Sequence, residues 1–93
     1  MVAVSVIIVN YNGEAFLQQA LDSLRAQTFR DFEVLLVDNA STDGSANNLN
    51  SDSVPGFRFM PQIGNLGFAA GNNIAAKESR ATWLALFNPD AVA

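Results

Sequence analysis

Cysteine and histidine are both missing from these 93 residues, and the two absences remove several chemistries at once. Disulfides, thiolate nucleophiles and Cys-ligated zinc are excluded. So are a Ser-His-Asp relay and imidazole metal sites, so any metal here would be a hard, oxygen-liganded cation. Basic residues are scarce as well: five Lys and Arg against nine Asp and Glu give a formal charge of −4. No basic run or stripe offers itself to nucleic acid. A diphosphate would therefore have to be met by backbone amides, helix N-termini or a bound cation. Long hydrophobic stretches are lacking too. The run Val6 to Val9 falls far short of the ~20 residues that a membrane-spanning helix needs. It has neither the basic flank nor the small-residue cleavage site of a signal peptide, which leaves the cytoplasm as the default compartment.

What the chain does have is a 49% apolar composition, enough for a core. Its length suits one small domain or part of a larger one. Val4 to Val9 is β-branched and nearly continuous, as in a parallel strand covered on both faces. Phe16, Leu17, Ala20, Leu21 and Leu24 then recur at helical spacing, with Glu14, Gln18, Asp22 and Arg25 facing away. A second strand is predicted over Phe32 to Val37, a short polar helix over Ser45 to Leu49, and a loop over 50–56. Phe57 to Met60 reads as a short strand whose Pro61 marks an edge or an end. Phe68 to Ser79, rich in Ala, reads as a helix lying close to a sheet. Glu78 is placed within that helix, on a solvated face. Thr82 to Phe87 completes a β-α-β-α-β-α-β order. Such alternation predicts a Rossmann-like, three-layer α/β/α fold with a mostly parallel sheet of about four strands and right-handed crossovers.

In open parallel sheets, ligands bind beyond the carboxyl ends of the strands, where strand order reverses. The polar clusters fall at those ends: Asn10-Tyr11-Asn12, Asp38-Asn39 and Asn88-Pro89-Asp90, with Gly64 to Gly67 before a helix. Polar rims also serve turns and helix caps, so composition alone does not decide. Two phosphate-binding signatures fail. The first turn has only Gly13 where G-x-G-x-x-G is required, and no Gly is followed by Lys as a P-loop demands.

The turns match something else. Val4-Ser5-Val6-Ile7-Ile8-Val9-Asn10-Tyr11-Asn12, Val37-Asp38-Asn39-Ala40-Ser41-Thr42-Asp43-Gly44-Ser45, Asn65-Leu66-Gly67-Phe68-Ala69-Ala70-Gly71-Asn72-Asn73 and Leu86-Phe87-Asn88-Pro89-Asp90-Ala91 resemble family 2 glycosyltransferases, with the flavour of rhamnosyltransferase-like members. The likeness covers essentially the whole chain, with four individually weak motifs in order. It implies the N-terminal, nucleotide-sugar-binding half of a glycosyltransferase-A type fold. Tyr11 matches the aromatic that lies against the nucleotide base, with Asn10 and Asn12 beside it. Asp38 matches the carboxylate that accepts a hydrogen bond from a pyrimidine imide N–H, which would favour UDP- or dTDP-linked sugars. Asp43 matches a second acidic position, read as cap and loop brace. Asn65, Gly67 and Asn73 match a loop-helix segment near the nucleoside. Where family members often carry Arg, this chain has Asn72, so one positive contact is missing. Asp90, with Asn88 in place of a first Asp, matches the metal motif and implies a Mg2+ or Mn2+ ion on the diphosphate.

The resemblance also places the catalytic base and the contacts to a carbohydrate acceptor downstream of the metal motif. The expectation is a truncated donor-binding part over residues 1–93 of an inverting transferase acting in cell-wall or polysaccharide synthesis, inactive alone. Self-association through an uncovered sheet is expected with it. The alternative is a non-catalytic nucleotide-binding or interaction module of the same fold, which Asn88 and Asn72 favour. A flavodoxin-like signalling domain fits less well, because the first strand is not followed by an acidic pair.

Overall fold

A computed structural model describes residues 2–13, 15–44, 46 and 49–87. Six elements follow in order: β1 (Val4–Asn10), α1 (Ala15–Arg25), β2 (Phe32–Asp38), β3 (Arg58–Pro61), α2 (Phe68–Glu78) and β4 (Trp83–Phe87). The four strands form one sheet in the order β3-β2-β1-β4, and every pairing is parallel. The expected three-layer architecture is therefore present. The chain steps outward from β1 to β2 to β3, then returns to the far side of β1, so strand order reverses between β1 and β4.

The two central strands are buried nearly throughout, as their unbroken apolar runs dictate. Their side chains alternate between two separate cores. Val6, Ile8, Val34 and Leu36 pack with Leu17, Leu21 and Leu24 of α1. Ile7, Val9, Leu35 and Val37 pack with Ala75 of α2 on the other face. Each fully buried leucine of α1 contributes roughly 2 kcal/mol. Leu24 lies in the last turn of that helix, where Arg25 supplies the basic residue that suits a helix C-terminus.

Several sequence expectations need correction. Phe16 is 47% exposed, because the sheet covers only the stripe formed by Leu17, Ala20, Leu21 and Leu24. Glu78 is the last residue of α2, not an interior one, although its side chain is solvated as expected. The third strand is shifted by one residue to Arg58–Pro61 and is an edge strand ending on Pro61. The polar helix expected over 45–49 falls largely on residues outside those described. Among the described residues, no helix is long and apolar enough to cross a membrane.

β4 differs from the other strands. Trp83, Leu84 and Leu86 are 69%, 51% and 59% exposed. An apolar groove of about 270 Å³, lined by Val4, Val6, Leu24, Phe29, Phe32 and Phe87 among others, runs beside it on the α1 face.

Candidate functional site

The register puts the first two polar clusters side by side. Asn10 and Asp38 are the last residues of β1 and β2, and they face each other across the ladder. β4 ends at Phe87, level with Ile8, so it finishes at the same edge of the sheet. β3 ends at Pro61 opposite Asp38, and the Gln62 N–H donates to the Asp38 carbonyl at 2.8 Å. The rim expected at the carboxyl ends is thus assembled from β1, β2 and the segment leading into α2.

Asp38 is the centre of this rim. It retains 6% of its surface, and its carboxylate takes three hydrogen bonds. Asn10 Nδ2 donates to Oδ1 at 2.9 Å, the Ser41 hydroxyl to the same oxygen at 2.7 Å, and the Ser41 N–H to Oδ2 at 3.1 Å. Every one of these donors is neutral. Asn10 is fully buried and also donates to Ser41 Oγ at 3.1 Å, so its amide braces the two turns. Asn12 does the same from the other side. Its N–H donates to Ser41 Oγ at 3.0 Å, and its side-chain oxygen accepts from the N–H groups of Thr42 and Asp43 at 2.8 and 3.2 Å. Two backbone outliers make this possible: Asn12 and Ala40 have φ of 53° and 60°. Asn tolerates that region, whereas Ala does so at a cost of about 1 kcal/mol. Asp43 is exposed, and its N–H belongs to the brace just described.

Tyr11 sits in the turn after Asn10 and is 50% exposed. Its ring has an apolar face and a polar edge, suited to a flat heterocycle. The Gly64–Gly67 segment joins the rim through Asn39. Asn39 is 1% exposed, its N–H donates to the Asn10 carbonyl at 2.8 Å, and its amide donates to the Gly67 carbonyl at 3.1 Å. Gly67 has a φ of 88°, a conformation that glycine adopts without strain, and the Asn65 side chain accepts from its N–H at 2.9 Å. Asn73 lies exposed in α2. Asn72 donates back to the Phe68 carbonyl at 3.1 Å.

Among the expected site residues, Asn10, Asn12, Asp38 and Gly67 are joined by one network of hydrogen bonds. Asn65 joins it through the Gly67 N–H, and Tyr11 is adjacent to it in sequence. Asn88 and Asp90 lie outside the described residues. Among the described residues, no group of three or more carboxylates could hold a metal ion. A divalent ion would therefore need ligands from beyond that set, or from a ligand's own phosphates. Sequence reasoning gave no role to Ser41 or Asn39, which tie the rim together. Asn39 was signalled as part of the Asp38-Asn39 cluster, and Ser41 by its place in the Val37 to Ser45 motif.

A parallel α/β sheet with a carboxylate-centred polar rim beside its topological reversal is the arrangement in which open α/β folds take up ligands. Comparison with known proteins makes the assignment specific. Residues 5–93 match the family described as Glycosyl transferase family 2, and the chain belongs to that family. An uncharacterised glycosyltransferase of Haemophilus influenzae is 30% identical over 97% of this chain and 37% of its own length. The S. aureus TarS 1–349 structure in complex with UDP-GlcNAc superposes with a TM-score of 0.85 at 27% identity, over 95% of this chain and 26% of that one. The mannosyltransferase PcManGT from Pyrobaculum calidifontis, in complex with GDP-Man and Mn2+, gives a TM-score of 0.85 at 25% identity, over 96% and 28%. The four-stranded unit is the N-terminal half of the glycosyltransferase-A fold. The chain spans about a quarter to just over a third of the length of these relatives.

Proposed function

We propose that this chain is the donor-binding part of an inverting glycosyltransferase, taking up a nucleoside diphosphate sugar at the carboxyl rim of its sheet. The observation that carries this reading is Asp38, a nearly buried carboxylate held by neutral donors at the end of β2. Burying a carboxylate without a cation is costly, and such arrangements concentrate at functional sites. An ionised carboxylate only accepts, so it suits the imide N–H of uracil or thymine. In this reading Tyr11 lies against the base, and Asn65, Gly67 and Asn73 border the nucleoside. UDP-GlcNAc in TarS and GDP-Man in PcManGT support a nucleotide sugar as ligand class. A rhamnosyl donor is one member of that class.

Asp90, with Asn88, is the proposed holder of a Mg2+ or Mn2+ ion, for which the Mn2+ bound to PcManGT is the support. Bound there, the ion would stabilise negative charge on the departing diphosphate. In the intact protein the acceptor hydroxyl oxygen would bond to the anomeric carbon. The anomeric carbon–phosphate oxygen bond would break, the nucleoside diphosphate would leave, and a carboxylate base would take the hydroxyl proton. Self-association through the exposed β4 belongs to the same proposal. A monomer in sedimentation at high concentration would refute it.

Amide NMR tests the donor site. Titration with UDP or dTDP plus Mg2+ or Mn2+ is expected to shift resonances at Tyr11, Asp38 and Gly67. Spectra unchanged at millimolar nucleotide would overturn the reading.

A further inference from the structure

Ser41 has one hydroxyl proton and two lone pairs, and the structure commits all three. Oγ receives the Asn10 side-chain amide at 3.1 Å and the Asn12 N–H at 3.0 Å. Both are donors, so the hydroxyl proton is left for Asp38 Oδ1, 2.7 Å away. Asn10 Nδ2 donates to that same oxygen at 2.9 Å. Among the described residues, Oδ1 is therefore filled by two donors, while Oδ2 takes the Ser41 N–H alone at 3.1 Å. One acceptor position of the carboxylate is left over, on Oδ2. The left-handed turns at Asn12 and Ala40 flank Ser41 on both sides of this lattice. Local strain of that kind persists where the surroundings over-determine the geometry.

We infer that Ser41 is a positioning residue that fixes the Asp38 carboxylate with Oδ2 as its single spare acceptor, making the rim selective for nucleobases bearing a ring N–H. This rests on the donor-site reading above. Uracil, thymine and guanine carry such a donor; cytosine and adenine present a ring nitrogen lone pair instead, which a carboxylate repels. Without the hydroxyl, Asp38 loses one of two donors on Oδ1, and Asn10 and Asn12 lose their shared acceptor. The carboxylate then keeps one donor on each oxygen and gains a second open acceptor position, on Oδ1, so Oδ2 no longer stands alone as the spare site. Discrimination among bases falls before the fold does, because the Ser41 N–H and the whole strand ladder are retained.

The test uses the full chain in Mg2+ buffer, with UDP and CDP compared by calorimetry in the wild type, Ser41→Ala and Ser41→Thr. One hydrogen bond to a charged group gives the wild type a preference for UDP of about tenfold or more. Ser41→Ala is expected to bring that ratio close to one, and Ser41→Thr, which keeps the hydroxyl, to restore it. Amide hydrogen exchange reads the lattice without ligand. The Asn12 and Thr42 amides should exchange faster in Ser41→Ala and return to wild-type rates in Ser41→Thr. A ratio unchanged in Ser41→Ala, or both nucleotides weakened equally, would show only a structural brace and overturn the inference. Unchanged exchange at Asn12 would overturn it as well. A wild type that binds neither nucleotide defeats the donor-site reading itself, and the exchange data alone then decide whether Ser41 holds the rim.

Discussion

β2 carries a buried carboxylate near each end, and in each case the register partner on β1 is polar: Ser5 opposite Glu33, Asn10 opposite Asp38. The two networks built on these pairs are otherwise unlike. At the amino end, Glu33 Oε2 accepts from the Ser5 hydroxyl and from the Arg80 N–H at 2.9 Å, and Oε1 faces Arg58 Nη2 at 3.4 Å. The Ser5 proton goes to Glu33, so Ser79 donates to Ser5 Oγ at 2.6 Å, while the Ala81 N–H donates to Ser79 at 3.2 Å. Arg58 also donates to the Glu78 carbonyl. This network contains its own cation and fastens the end of α2 to the sheet. At the carboxyl end all the donors to Asp38 are neutral, and the elements joined are turns. Similar burial therefore serves two purposes. One carboxylate has a guanidinium beside it and ties the end of α2 to the sheet; the other sits at the rim, held among the described residues by neutral donors.

The sharpest break of that contrast is Glu33→Ala. Removing it takes the shared acceptor from Ser5 and the Arg80 N–H and leaves the partly buried Arg58 only its contacts with Glu78, and about 3 kcal/mol of stability should be lost in urea unfolding. Acid supplies a finer version. Burial alone would push Glu33 up, but the Arg80 N–H, the Ser5 hydroxyl and the charges of Arg58 and Arg80 outweigh it and hold the carboxyl below its ordinary value. A lowered folded-state value means that the contribution is complete above the ordinary glutamate value of 4.5 and is lost as pH falls through the lower one. Glu33→Gln should flatten this part of the stability–pH curve in thermal melts. If the acid limb keeps its slope, Glu33 is not its source.

How far this contrast was legible in the sequence depends on the residues concerned. Val4 to Val9 and Phe32 to Val37 announce buried parallel strands through β-branching and unbroken apolarity, and Leu17, Leu21 and Leu24 announce a helix through their spacing. Phe16 fitted the same periodicity yet faces outward, because periodicity does not say how wide a stripe the sheet will cover. Asp38 was legible as a rim carboxylate, since a polar residue ending an apolar strand is conspicuous. Ser41 was not. Its role depends on a left-handed turn at Ala40, and alanine carries no signal for positive φ. Glu33 read as part of a strand, and its partner Arg80 lies more than forty residues away in the connection between α2 and β4, which has no periodicity.

A smaller effect is expected where α2 meets the rim. A Cβ on Gly71 would lie 2.7 Å from Val9 Cγ1 and 3.3 Å from Asn39 Nδ2. Gly71→Ala must push the helix away from β1 or turn Val9 off its rotamer. Overpacking of this size costs ~1–3 kcal/mol, offset by up to about 1 kcal/mol of helix propensity. A net loss of about 1 kcal/mol in urea unfolding is expected, with faster exchange of the Gly71 amide, whose N–H donates to the Gly67 carbonyl, as the helix start loosens. Unaltered stability would mean that Val9 yields without cost. The carboxyl end would then be a softer region than the amino end.

The smallest stability change, and the cleanest separation of the two ends, belongs to Tyr11. Its ring is half in solvent, so Tyr11→Ala should alter unfolding by no more than about 0.5 kcal/mol. An aromatic face against a base is nonetheless worth about 1 kcal/mol, so UDP affinity should fall roughly fivefold in calorimetry. Tyr11→Phe keeps the ring and should bind nearly as the wild type does. This pattern of intact fold and weakened binding is the reverse of that expected for Glu33→Ala. Should Tyr11→Ala unfold the chain instead, Tyr11 would be a structural residue like Glu33. The proposal that the carboxyl rim is the ligand end of the sheet would then fail.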